Sequence, residues 1–184
     1  MNRKVGLFFH DGYTMEYSVI GDGEPVLMFH GGHSNCYEEF GVNPLVESGY
    51  SVIIPSRPGY GKTSKQIGSN FALASYYYAE LLKYLGIGNV HVLAISAGGP
   101  SGLYFAAHYG AYVNSLVLQS AVTKKWLSKQ DKEYIAARFL FRPRFEKMTW
   151  KLVSSMSNLF PEFIFKQMFS SFSTLTYEEA REKM

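Results

Sequence analysis

Residues 89–110, NVHVLAISAGGPSGLYFAAHYG, decide how this chain is read. The first part, Val90 to Ile95, is a short apolar run with the character of a buried strand. The part after Pro100 has helical spacing, and Ser96 stands at the junction. Around it the order is Ala94-Ile95-Ser96-Ala97-Gly98, with a small residue two positions away on either side. A serine on a sharp strand-to-helix turn takes a strained backbone, so those neighbours must be small to avoid clashes. The helix that follows directs its N-terminal amides at the turn, where negative charge would develop during acyl transfer. Ser96 is therefore a candidate nucleophile, and the Ala97 N–H a candidate oxyanion donor. Serine and glycine are common residues, and a plain strand-to-helix turn would account for this pattern alone. The surrounding chain has to decide.

Upstream, Val5 to Phe9 and Tyr13 to Val19 alternate as strands and are joined by HDG, whose Asp11-Gly12 pair suits a tight hairpin. Val26 to Phe29 is the next strand, followed by the glycine-rich loop HGGHSN and a helix predicted from about Tyr37 to Glu47. YSVIIPS repeats the strand signal, RPGYGKTSKQIGSN is a loop, and Phe71 to Leu85 reads as a helix stopped by Gly86. After residues 89–110 comes one more strand, Val113 to Leu118. Alternation of this kind implies an α/β fold, a mostly parallel sheet with helices flanking both faces. From Thr123 onward no strand signal appears. Ser128 with Asp131, and Thr176 with Glu179, read as helix starts. Trp150, Val153 and Met156 share one helical face, and Phe163, Phe165, Met168, Phe169 and Phe172 form a second apolar stretch. Most of these side chains are expected in a packed helical core, with some available to line an acyl pocket.

The composition fits one globular domain of ordinary size: 184 residues, 47% hydrophobic and 16% aromatic, with a net charge of +3. Its basic residues are scattered, which argues against nucleic acid as the main partner. No apolar run reaches the roughly 20 residues of a membrane span, so no membrane partner is expected. The single cysteine, Cys36, cannot form an internal disulfide, and the start MNRKVGLFFHDG, with only a very short apolar run before His10 and Asp11, is not expected to act as a secretory leader. A cytoplasmic setting, with neither cofactor nor metal, is the expectation.

Two features beyond the serine carry weight. The strand Val26 to Phe29 runs into His30-Gly31-Gly32, where glycine lets backbone amides approach a substrate oxygen closely. A second glycine-rich loop, SRPGYGKTS, precedes the serine turn. This order of parts from Val5 to Ala121 resembles the α/β-hydrolase superfamily. The resemblance implies Ser96 as nucleophile, Gly32 and Ala97 as oxyanion donors, and a pocket bordered by His30, Gly31, His33 and Ile95. It makes His30 a structural residue of the HG loop. It also divides the chain into a hydrolase core over 1–122 and a helical cap over 123–184. Serine at the turn disfavours dehalogenase or epoxide-hydrolase chemistry, which needs a carboxylate nucleophile. SRPGYGKT also resembles the end of a phosphate-binding loop, but Ser56 stands where that motif requires glycine and Pro58 removes an amide.

One part is missing. A serine hydroxyl needs a base, normally a histidine held by a carboxylate, and in the family that histidine comes last in the chain. The histidines here are His10, His30, His33, His91 and His108, and none follows His108. The alternative acid position holds Gln119 and Ser120. His33, on the oxyanion loop, is a weak substitute that would need a geometry foreign to the family. The expectation is a shortened serine hydrolase for carboxylic esters or related acyl compounds, lacking the last strands and turning over slowly or not at all. The alternative is a non-catalytic binding or interaction module that keeps the fold. The aromatic residues after Thr123 imply an apolar acyl or aryl substrate, and an open sheet edge implies self-association.

Overall fold

Alternation within each strand distributes the apolar side chains between two cores. The computed structural model describes residues 2–124, 146–172, 174 and 176–181. Six strands, β1 (Arg3–His10), β2 (Tyr13–Ile20), β3 (Glu24–Phe29), β4 (Tyr50–Pro55), β5 (Val90–Ile95) and β6 (Val113–Gln119), form one sheet in the order β1-β2-β4-β3-β5-β6. β2 pairs antiparallel with β1 and with β4, and the other pairings are parallel. The hairpin closes at His10 opposite Tyr13, with Asp11 at φ +45° and Gly12 at φ +78°. Both turn residues are thus left-handed, as a two-residue hairpin with the twist of its strands requires.

Helices α1 (Val42–Glu47), α2 (Phe71–Tyr84) and α3 (Gly99–His108) flank this sheet. Leu27, Phe29, Ile53, Val92 and Ala94 point to the face covered by α2 and α3, while Met28, Val52, Ile54 and Ile95 point to the α1 face. α2 begins at Asn70, whose side chain accepts the Leu73 N–H. It ends where Gly86 takes φ +69° and the Ile87 N–H reaches back to the Leu82 carbonyl.

One helix is shorter than its sequence pattern. A start at Tyr37 would put Pro44 in the helix interior, where its ring clashes with the preceding turn and a hydrogen bond is lost. A start at Val42 puts Pro44 in the first turn, where no amide is needed, and Gly41 at φ +75° breaks the chain direction just before it. Cys36 upstream is also tied to the sheet. Its N–H donates to Ser56 Oγ at 2.9 Å, and its carbonyl accepts from Ser18 and Arg3.

Packing divides the chain into two compact units, Met1–Trp126 and Leu127–Met184. The described part of the second is helical: α4 (Glu146–Leu159), α5 (Pro161–Phe172) and α6 (Tyr177–Arg181). Thr176 and Glu179 make the expected reciprocal cap on α6, the Thr176 N–H donating to Glu179 Oε2 and the Glu179 N–H to Thr176 Oγ1. The helix start expected at Ser128 and Asp131 lies outside the described residues. The packed helical core expected for the aromatic and methionine residues is not what α4 and α5 show. Trp150, Val153, Met156, Phe163 and Phe165 are all exposed. Phe165, Phe169 and Tyr177 do cluster, with ring centroids 5.8–5.9 Å apart. The side chains of Met168 and Phe172 are not among those described.

Candidate active site

The turn between β5 and α3 is built as the sequence demands. Ser96 has φ +49°, left-handed for a residue with a β-carbon, and its side chain is exposed while Ile95 beside it is buried. Such a conformation costs of order 1–3 kcal/mol and persists only where the surroundings impose it. Here they do. A β-carbon on Gly98 would lie 2.3 Å from the Phe29 carbonyl oxygen, and one on Gly102 would lie 2.6 Å from Ala94 Cβ. The helix therefore seats against the ends of β3 and β5 with backbone against backbone. The Val122 N–H closes the turn on the Ser96 carbonyl at 2.9 Å.

The HGG loop lies alongside. β-Carbons built on Gly31 and Gly32 would stand 3.7 Å from Ser96 Cβ and 3.6 Å from Ala97 Cβ. The structure thus brings Gly31, Gly32, Ser96 and Ala97 together at the C-terminal ends of β3 and β5. His30 is fully buried. Its Nδ1–H donates to the Gly31 carbonyl at 2.8 Å, and its Nε2 accepts the Arg57 N–H at 2.8 Å. Burial, helped by the nearby Arg57 charge and opposed by the Gly31 bond, lowers its pKa to about 4. The ring is therefore neutral and fixed in one tautomer, a strut between two loops. His33 sits exposed on the same loop.

Arg57 is the residue that sequence reasoning missed. One terminal nitrogen donates to the Ala97 carbonyl and the other to the Gly31 carbonyl, each at 3.0 Å, and the guanidinium lies over the Tyr60 ring, 4.9 Å from its centroid. A single planar fork thus ties the serine turn to the glycine loop. The only sequence signal is an arginine inside a glycine-rich loop that also resembles the end of a phosphate-binding loop. Its amides are used otherwise. The buried Glu16 carboxylate accepts the Lys62 N–H at 3.1 Å and the Ser56 hydroxyl at 3.0 Å, and Gly61 at φ +52° passes so close that a β-carbon would lie 2.0 Å from Glu16 Oε2.

Among the described residues none hydrogen-bonds the Ser96 hydroxyl. Besides His30, the other four histidines, His33 among them, also have partners. His10 bonds the Tyr76 hydroxyl, His91 bonds Ser115 and Glu24, and His108 bonds the Tyr104 carbonyl. Among the described residues no cluster of metal-ligating side chains occurs, and no helix is long and apolar enough to cross a membrane.

Comparison with known proteins places this arrangement. Over its full length the chain is 56% identical to an uncharacterized hydrolase, YcgS, of Bacillus subtilis, and it spans 65% of that protein. It is 33% identical over 117 residues to a 2-hydroxy-6-oxo-6-phenylhexa-2,4-dienoate hydrolase of Comamonas testosteroni, covering 58% of this chain and 39% of that one. A solved α/β-hydrolase fold protein from Nakamurella multipartita superposes with a TM-score of 0.75 at 26% identity, covering 97% of this chain and 61% of the other. The chain thus spans less than two thirds of the length of these relatives. The family model for the alpha/beta hydrolase fold matches residues 24–148, which run from the first parallel strand through the glycine loop and the serine turn to the start of α4. With its strand order, its strained serine and a model match over most of its length, this chain belongs to the α/β-hydrolase fold family.

Proposed function

We propose that this chain carries the nucleophile half of a serine hydrolase for carboxylic esters or related acyl compounds. The observation that carries the reading is the exposed, left-handed Ser96 held against the Gly31-Gly32 backbone. In this reading Ser96 Oγ attacks the acyl carbon, and the Gly32 and Ala97 amides receive the oxyanion. Arg57 and the neutral His30 are positioning residues that hold the two loops in register. His30, Gly31, His33 and Ile95 border the acyl pocket, and residues 123–184 serve as the cap after a core of residues 1–122. An apolar acyl or aryl group is the proposed substrate, in line with a relative named for a phenyl-bearing dienoate. Small molecules, rather than nucleic acid or membrane, are the proposed partners, together with a second copy through the β6 edge. The single buried cysteine suits a reducing, cytoplasmic setting.

A second reading, a binding module with a mounted but idle serine, is favoured by one observation: the Ser96 hydroxyl has no imidazole partner among the described residues. Hydrolysis of p-nitrophenyl esters by wild type and Ser96→Ala separates the two. A large loss in the variant supports a serine hydrolase with a base, and equal rates eliminate Ser96 catalysis in this chain. On this structure the expected rate is low.

A further inference from the structure

The arginine that ties the glycine loop to the serine turn also lines a cavity. The cavity measures about 250 Å³, and its lining includes Arg57, Ser69, Asn70, Phe71 and Ser101. Gly31, Gly32, Ser96 and Ala97 take no part in that lining, so the cavity is distinct from the candidate active site. Its walls come from the segment after β4, the first turns of α2 and the start of α3, all within one compact unit.

The charge in this cavity is one-sided. Both terminal nitrogens of Arg57 donate to neutral carbonyls, those of Ala97 and Gly31. Among the described residues no carboxylate lies within ion-pair distance of the guanidinium, and its Nε is buried without a hydrogen-bond partner. α2 adds to the same sign. Asn70 caps the Leu73 N–H, which leaves the Phe71 and Ala72 N–H groups without a carbonyl inside the helix, at the positive end of a 14-residue dipole. Beside Ser101 stands Tyr78, fully buried, whose hydroxyl makes no hydrogen bond of good geometry among the described residues. Burial pushes the pKa of that hydroxyl up, and the nearness of Arg57 and Ser101 opposes the rise. A hydroxyl this deep needs a partner, and Ser101 is the one in reach. With the Tyr78 O–H donating to Ser101 Oγ, the Ser101 proton is free to turn into the cavity.

A water molecule satisfies hydroxyls and amides of this kind but leaves the arginine charge uncompensated, whereas a small oxyanion answers both needs. The volume sets the size, since it is several times that of a water molecule and below the range of drug-sized ligands. We propose that this cavity binds a small oxyanion, a carboxylate or an inorganic phosphate, received by Arg57, Ser101 and the first turn of α2. The anion joins α2 and α3 to the arginine that braces the two site loops, so occupancy stiffens the mounting of Ser96 and Gly32. The site stands on buried donors and their charge, and it does not require Ser96 to be reactive.

The test is fluorine NMR of trifluoroacetate added to the full chain at constant ionic strength, followed by displacement with acetate or with inorganic phosphate. Saturable binding is expected, and the stronger competitor identifies the source as a carboxylic acid or free phosphate. Ser101→Asp places a carboxylate beside Arg57 and should weaken binding about ten-fold or more, as loss of a hydrogen bond to a charged group does. Ser69→Asp, at an exposed rim position, should weaken it several-fold and decides the matter if Ser101→Asp does not fold. Lack of saturable binding overturns the proposal and leaves water as the occupant. Displacement by neither competitor overturns it as well, marking a contact peculiar to the fluorinated probe. Binding indifferent to both aspartate variants overturns it too, while supporting an anion held at the Gly32 and Ala97 amides.

Discussion

His30 links the glycine loop to the following loop through two hydrogen bonds that only the neutral ring can make together. Protonating Nε2 removes the acceptor for the Arg57 N–H and places a charge in a fully buried site. With a folded pKa of about 4 against an ordinary 6.5, the native state refuses a proton that the unfolded chain takes up. The stability from this group is therefore fully present above pH 6.5 and drains away as pH falls towards 4, by about 3 kcal/mol at the limit. Urea unfolding followed across that window should show the loss, and His30→Gln, which keeps an acceptor but does not titrate, should flatten it. An unchanged slope in the variant would rule His30 out as its source. Ser96, Gly32 and Ala97 were legible as a group because each belongs to a local pattern tied to backbone geometry. Arg57 was not legible, because its partners are two carbonyls, Gly31 and Ala97, that come together only in the tertiary fold.

At the scale of elements, the seating of α3 depends on glycines of two different kinds. Gly98 abuts backbone, since a β-carbon there would meet the Phe29 carbonyl at 2.3 Å and nothing flexible can yield. Gly31 would meet Ser96 Cβ at an ordinary 3.7 Å. Gly98→Ala should therefore destabilise the protein by about 3 kcal/mol or prevent folding, as overpacking against fixed atoms does. Gly31→Ala should shift the urea midpoint little, and similar losses in both variants would refute this account of the contact. The strands and the two longer helices followed from alternation, capping and glycine stops in the sequence. α1 was overextended because apolar periodicity ran through Tyr37 to Glu47, while Pro44 and the anchored Cys36 confine the helix to its last six residues. The helical unit was misjudged differently. Periodicity marks an apolar face on α4 and α5 but does not fix how much of it is covered, and Leu159 and Phe163 are exposed.

For the whole molecule, the informative asymmetry is between the two edges of the sheet. β1 ends one side and carries Arg3 and Lys4, charges of the kind that discourage pairing with a foreign strand. β6 ends the other side among the described strands, and its sequence, VNSLVLQ, has no charge and no proline. Val117 is 54% and Leu118 38% exposed, so both faces of that edge offer apolar surface. Among the described strands none pairs with the outer edge of β6, and an uncharged edge of seven residues is a template for a like strand, of which β6 of a second copy is the nearest source in a pure solution. Sedimentation velocity over a wide concentration range should accordingly show reversible association. Val117→Lys, which adds a charge on an exposed side chain without touching the core, should return the chain to monomer with its circular dichroism unchanged. A wild-type chain that stays monomeric throughout, or a lysine variant that associates as strongly, would mean that this edge does not drive association.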